Sequence, residues 1–264
     1  MEGSNGSNPA PGDFLALLKQ QRLISDIPCG PVTGSQYKET VATTILGFKF
    51  AGGVLVAGDR RATAGNIVMY DRADKVLEID RHSVMAIAGS PATAWEMARI
   101  LGHSFQFYRR SQLQEMSLEG KVRALSKLLR DNLGMVMQGV GVVVPLFATY
   151  DKKSPDPAKL FFYDAMGAQF EATDFASSGS GAAAVRSVLY YEKNWGSKPL
   201  RERGKEDAIQ LALKALDTAA EADTATGGID RHGKIFPIIK IVNETGIETV
   251  PDEKLSELFQ AHVA

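Results

Sequence analysis

Thr43 and Thr44 open an apolar run, Thr43-Thr44-Ile45-Leu46-Gly47-Phe48-Lys49-Phe50, that follows a stretch of quite different character. If the chain were cut between Ala42 and Thr43, one residue would carry both a free α-amine and a hydroxyl. A base and a nucleophile would then sit on the same side chain and backbone, the N-terminal threonine form of an activated nucleophile. Two further groups of the right type lie downstream. Asp59 ends the run Gly53-Val54-Leu55-Val56-Ala57-Gly58 and is followed by Arg60-Arg61, and Lys75 opens the run Val76-Leu77. An unperturbed α-amine titrates near pH ~8. A neighbouring ammonium lowers that value and keeps the amine free to take the hydroxyl proton. A carboxylate would hold the lysine charged and aimed. Each residue also has a purely structural reading: threonine is a good strand former, and a lysine at a strand edge guards it against unwanted pairing.

The elements that must position these groups follow from the pattern. From Thr43 to Gly89 the chain reads as short strands rich in Val, Ile and Phe, broken at Gly52-Gly53 and Asp80-Arg81-His82-Ser83. Ser90-Pro91 starts a helix with Met97, Leu101, Phe105 and Tyr108 on one face. Ser117 caps a second helix whose stripe is Leu118, Val122, Leu125, Leu129 and Leu133. Strands resume at about 142–150 and 160–164 around a polar loop, 151–159. A third helix follows Gly179-Ser180-Gly181, and a fourth runs over about 206–222, with Ile209, Leu213, Leu216 and Ala220 in phase before Gly227-Gly228. Closing strands at about 235–243 and 247–250 and a helix after Pro251-Asp252 end the chain. Strand clusters alternating with helix pairs predict an α+β fold, a four-layer α-β-β-α sandwich of two antiparallel sheets with helices outside.

Bulk properties narrow the function. The chain has 264 residues, enough for one large domain or two small ones, and its 44% hydrophobic and 23% charged content suits an ordinary globular protein. A net charge of −1 gives no electrostatic case for nucleic acid or a membrane surface as partner. No apolar run approaches the ~18 residues of a membrane span, and no secretory signal is evident. With Cys29 as the only cysteine, a disulfide framework or thiolate site is not expected, and a reducing cytoplasm is the simplest location. Residues 1–12 are small, polar and rich in Gly and Pro. A short amphipathic helix fits 13–25, and Pro28, Gly30, Pro31 and Gly34 break the chain again.

Four blocks then carry a family resemblance: Thr43-Thr44-Ile45, Ala57-Gly58-Asp59-Arg60-Arg61, Ile87-Ala88-Gly89, and Gly179-Ser180-Gly181 with Asp223-Thr224-Ala225-Thr226-Gly227-Gly228. Together, in this order, they make the chain resemble the proteasome β subunits, most closely the bacterial type. The resemblance implies the N-terminal nucleophile hydrolase fold, a removable propeptide over 1–42 and a β-type catalytic domain over 43–264. It implies that Thr43 is the nucleophile, with Asp59 and Lys75 as the buried charged pair beside it. Ser180, Asp223 and Thr226 would complete the proton-handling network, Thr226 standing where the family often has serine. The Gly89 N–H would be the oxyanion donor, and Ala62, Ala73, Ile87 and Pro91 would line a pocket for hydrophobic side chains. It further implies autocatalytic cleavage before Thr43, threonine-type endopeptidase activity on protein substrates without cofactor or metal, stacked seven-membered rings of β and α subunits, and an ATP-dependent unfoldase. One residue departs from the pattern: Ala42 stands where the family usually has glycine, so slower processing is expected.

Other readings compete. Gly179-Ser180-Gly181-Ala182-Ala183-Ala184 matches a loose dinucleotide fingerprint, but no second parallel strand follows the helix. No nucleophile elbow for a serine triad is present, and His82, His103, His232 and His262 are scattered without metal-ligand spacing. Within the fold, the alternatives are an HslV-type peptidase subunit and an unprocessed, non-catalytic ring subunit.

Overall fold

The computed structural model describes residues 14–21, 43–64, 67–230 and 235–263. Cys29, Ala42, His232 and most of the leader lie outside the described residues. Of the leader, helix α1 spans Phe14–Gln20, and its Phe14 ring lies 5.6 Å from that of Phe107 and 6.3 Å from that of His103.

Strand β1 (Thr44–Phe50) shows why the central layers form. Alternate side chains of a strand point to opposite faces. Leu46, Phe48 and Phe50 pack with apolar residues of the helices, whereas Ile45 joins the layer between the two sheets. Strand β2 (Gly53–Gly58) repeats this, with Leu55 and Ala57 on the helix side and Val54 and Val56 between the sheets. With both faces covered, β1 and β2 are buried throughout, which explains why their sequences are apolar runs rather than clean alternations.

A short hairpin, β3 (Ala62–Ala64) and β4 (Ile67–Tyr70), precedes β5 (Val76–Asp80) and β6 (Ser83–Ala86). Helices α2 (Pro91–Gln112), α3 (Leu118–Asp131) and α4 (Leu133–Val136) come next, then β7 (Leu146–Tyr150), β8 (Ala158–Tyr163), β9 (Gln169–Glu171) and β10 (Phe175–Gly179). Helices α5 (Ala182–Trp195) and α6 (Lys205–Ala222), strands β11 (Ile238–Asn243) and β12 (Gly246–Thr249), and α7 (Asp252–Val263) complete the order.

One five-stranded antiparallel sheet has the order β10-β1-β2-β11-β12 and the other β5-β6-β7-β8-β9. Their facing sides share one apolar layer that includes Val76, Val84, Leu146, Leu160 and Val242. The outer face of the first sheet is covered by α5, α6 and α7, that of the second by α2 and α3. The four-layer sandwich expected from the element order is the observed architecture.

The differences in detail have local causes. Strand β10 was not expected, because Ala176-Ser177-Ser178-Gly179 has little apolar content, yet it pairs with β1 from Phe48↔Phe175 to Thr44↔Gly179. The second helix was expected to reach Leu133. It stops at Asp131, where the Asn132 side-chain amide donates to the Gly141 carbonyl at 2.7 Å. Ser117 caps α3 as expected, accepting from the Gly120 N–H at 3.2 Å. Ser90 takes the cap position of α2, but its hydroxyl bonds Thr93 instead of the backbone.

Candidate active site

β1 begins one residue after Thr43, and β10 ends at Gly179 opposite Thr44, so the two strands fix the start of the domain between them. The Thr43 carbonyl accepts the Ser180 N–H at 2.9 Å. Gly179 has φ +98°, a conformation that side chains with a Cβ rarely adopt. A Cβ there would stand 1.7 Å from the Thr43 carbonyl oxygen. Glycine is therefore required for β10 to close against Thr43, which is itself buried.

The charged pair is built at the ends of β2 and β5. Asp59 is fully buried, and its two carboxylate oxygens are satisfied by four donors. Oδ1 accepts Lys75 Nζ at 2.7 Å and the Thr44 N–H at 2.8 Å. Oδ2 accepts the Arg61 and Gly227 N–H groups, each at 2.9 Å. Lys75 is buried too, and its second acceptor is the Arg61 carbonyl at 2.5 Å. The solvated edge-guard reading of Lys75 is thereby removed. Burial pushes the Lys75 ammonium below the ordinary lysine range; the Asp59 carboxylate opposes this, and the Arg61 charge adds to it.

A second network reaches the same strand start from α5 and α6. Asp223 caps the C-terminus of α6, and its Oδ2 accepts the hydroxyls of Ser180 at 2.5 Å and Thr226 at 2.6 Å. Since the Thr226 proton goes to Asp223, the 2.6 Å contact between the Thr44 and Thr226 hydroxyls must have Thr44 as donor. Thr44 in turn accepts the Gly181 N–H at 2.9 Å. A directed chain therefore runs from the first turn of α5 through Thr44 and Thr226 to Asp223. Partial burial works against ionisation of Asp223, but the donors Ser180, Thr226 and the Ala225 N–H outweigh it and hold the carboxyl below its usual range, with help from Arg61.

Gly89 lies at the end of the strand segment that leads into α2, with φ +108°; a Cβ would meet the Val142 carbonyl oxygen at 2.0 Å. Gly89 bridges Val143, but the bonds of that bridge run from Ser90 N–H to Val142 O and from Val144 N–H to Ala88 O. The bonds of this bridge do not involve the Gly89 N–H. Two of the pocket candidates sit beside the lysine segment: the Ile87 N–H donates to the Lys75 carbonyl at 2.9 Å, and the Ala73 N–H to the Arg60 carbonyl at 3.0 Å. Ala73 and Ile87 are buried, the latter among the apolar residues under α2. Ala62 lies half-buried in β3, and Pro91 half-buried at the first position of α2.

The structure thus joins Thr43, Asp59, Lys75, Ser180, Asp223 and Thr226 in one hydrogen-bonded assembly. Sequence reasoning missed two participants, Thr44 and Arg61. Both stood inside quoted blocks, but only the fold shows that Thr44 Oγ1 and the Arg61 backbone face the network. The dinucleotide fingerprint does not hold here, since β10 is antiparallel to β1 and α5 leads to another helix. His82 sits in a turn with Nε2 3.3 Å from the Glu244 carbonyl oxygen, and His103 is exposed on α2. No described helix is long and apolar enough to cross a membrane.

The chain is similar to known proteins along most of its length. A family model described as proteasome subunit matches residues 40–233. The chain is 36% identical over 249 residues to proteasome subunit beta of Streptomyces griseus, covering 94% of this chain and 85% of that one. It is 39% identical over 254 residues to the subunit of the same name from Acidimicrobium ferrooxidans, covering 95% and 88%. A third relative, from Streptosporangium roseum, is 40% identical over 215 residues, covering 81% of this chain and 73% of that one.

Proposed function

This chain belongs to the proteasome subunit family as a β subunit, the threonine-protease core of that particle, and from that premise we propose that it is itself an active endopeptidase whose nucleophile is Thr43. One observation carries the reading: a single oxygen of the fully buried Asp59 binds both Lys75 Nζ, at 2.7 Å, and the N–H of Thr44, at 2.8 Å. A costly buried charge pair is thereby held against the residue that follows the candidate nucleophile.

In the proposed reaction the Thr43 hydroxyl attacks a peptide carbonyl, and its proton passes to the free Thr43 amine. The Gly89 N–H receives the developing oxyanion. The leaving amine takes the proton, an ester on Thr43 remains, and water hydrolyses it to a carboxylic acid and the restored hydroxyl. Lys75 and Asp59 set the charge around the amine, while Ser180, Asp223 and Thr226 hold its surroundings. Ala62, Ala73, Ile87 and Pro91 are uncharged and apolar, which favours cleavage after hydrophobic side chains.

The amine exists only after cleavage between Ala42 and Thr43, so residues 1–42 act as a propeptide and 43–264 as the catalytic domain. Members of this family assemble with other subunits into a proteasome particle. For this chain the finer proposal is stacked seven-membered rings with α subunits outside, fed by an ATP-dependent unfoldase in the cytoplasm. Thr43→Ala tests the assignment. It should retain the leader and abolish hydrolysis of hydrophobic peptide reporters, and activity surviving the substitution would place the nucleophile elsewhere.

A further inference from the structure

We infer that Arg61 is a positioning residue for the nucleophile, a clamp that holds the Asp223–Gly227 loop against the Lys75–Asp59 pair. The inference rests on the reading of Thr43 as nucleophile, and it assigns a role to a side chain that this reading leaves idle. Arg61 touches both halves of the site. Its N–H donates to Asp59 Oδ2 at 2.9 Å, and its carbonyl accepts Lys75 Nζ at 2.5 Å. Its guanidinium crosses to the loop after α6, where Nη1 donates to the carbonyls of Thr224 at 2.9 Å and Thr226 at 3.2 Å. Those two residues flank Ala225, whose N–H binds Asp223 Oδ1 at 3.1 Å. The loop is closed from the other side by the Gly227 N–H on Asp59. Gly227 also lies flat on Arg61: a Cβ there would come within 2.9 Å of the Arg61 Cβ and 3.1 Å of its nitrogen.

The consequence is mechanical and electrostatic together. Asp223 orders Ser180 and Thr226, and this trio already reaches the Lys75–Asp59 pair through Thr44 and through the Gly227 N–H. The Arg61 side chain adds the tie that fixes the loop's spacing from Lys75 directly, because one residue holds the lysine by its backbone and the loop by its guanidinium. A lysine at this position would keep the charge, but its stem ends about one bond short of Nη1, and it lacks the planar fork. The same charge disfavours the protonated form of Lys75 and favours the ionised form of Asp223. The charged groups that face Lys75 are Asp59, Arg61 and Asp223.

The test uses the full-length chain co-produced with an α-type ring partner, comparing wild type, Arg61→Met, Arg61→Lys and Gly227→Ala. Particle assembly, intact mass and the pH dependence of peptide hydrolysis are measured for each. Arg61→Met should assemble but lose on the order of 100-fold in kcat, with KM unchanged, as expected for misplaced reacting groups. Its acid limb should move to higher pH, because removing a positive charge raises the proton affinity of Lys75 and of the Thr43 amine. Arg61→Lys should restore the acid limb without restoring kcat, which separates the charge from the clamp. Gly227→Ala, whose Cβ would crowd Arg61 and stand 3.3 Å from Asp59 Oδ2, should lower kcat while the guanidinium is still present; if Arg61→Met does not assemble, Arg61→Lys decides the matter, since wild-type kcat in that variant would overturn the clamp. Wild-type kcat and pH profile in an assembled Arg61→Met particle would overturn the clamp and leave the Thr43 assignment standing. A wild-type particle with its leader intact and no hydrolysis would overturn the Thr43 assignment itself.

Discussion

Asp59 concentrates the energetics of the site in one side chain, since it is fully buried and accepts four hydrogen bonds. Removing its only charged donor by Lys75→Met would leave a buried carboxylate with three backbone N–H partners. The domain should still fold, destabilised by about 3 kcal/mol and without peptidase activity; an active variant on the same denaturation curve as wild type would refute the pairing. Asp223 gives a pH-dependent counterpart. Its carboxyl is held below the ordinary range, so it binds fewer protons folded than unfolded, and its contribution is complete above about pH 4 and lost as pH falls through the folded value. The melting temperatures of wild type and Asp223→Asn should therefore differ at neutral pH and converge in acid; a constant gap would contradict the network. Residue types alone revealed Thr43, Asp59 and Lys75 as candidates, because a nucleophile, an acid and an ammonium are chemically conspicuous. Ser180, Asp223 and Thr226 entered only through family resemblance. Thr44 and Arg61 were invisible for a different reason: one acts through a hydroxyl that any strand threonine has, the other mainly through its backbone and through carbonyls more than 160 residues away.

At the scale of elements, the site depends on how β10 closes against the start of β1. Gly179→Ala should be far more damaging than its size suggests, because the new Cβ would overlap the Thr43 carbonyl oxygen in a backbone conformation that alanine resists. The expected outcome is a chain that folds less stably and fails to process its leader, measured by thermal melting and intact mass. Normal processing at wild-type stability would show that β10 does not set the position of Thr43. The same strand marks the limit of what the sequence displays. The apolar runs of β1, β2 and β11 and the stripes of α2, α3 and α6 announce themselves by composition and period, and their order predicted the sandwich. β10 has too few apolar residues to register, since part of its pairing is made by Ser177 and Ser178 on β1. Lys49 and Lys240 conceal themselves similarly: both are buried on interior strands of the first sheet, held by Asp156 and by Glu78. A carboxylate so distant in sequence cannot be paired with its lysine by inspection.

For the whole molecule, the proposed chemistry makes the chain a precursor activated by its own cleavage. Thr43 contributes an amide nitrogen while residue 42 is attached and a base only afterwards, so processing and activity must appear together. The most direct test is intact mass and peptide hydrolysis on the same particle, assembled from the full-length chain with an α-type partner, beside a Thr43→Ala control. The wild-type chain should begin at Thr43 and cleave after hydrophobic residues, and the control should keep its leader and cleave nothing. An assembled wild-type particle that still begins at Met1 and hydrolyses nothing, or one that is active with its leader intact, would contradict this reading.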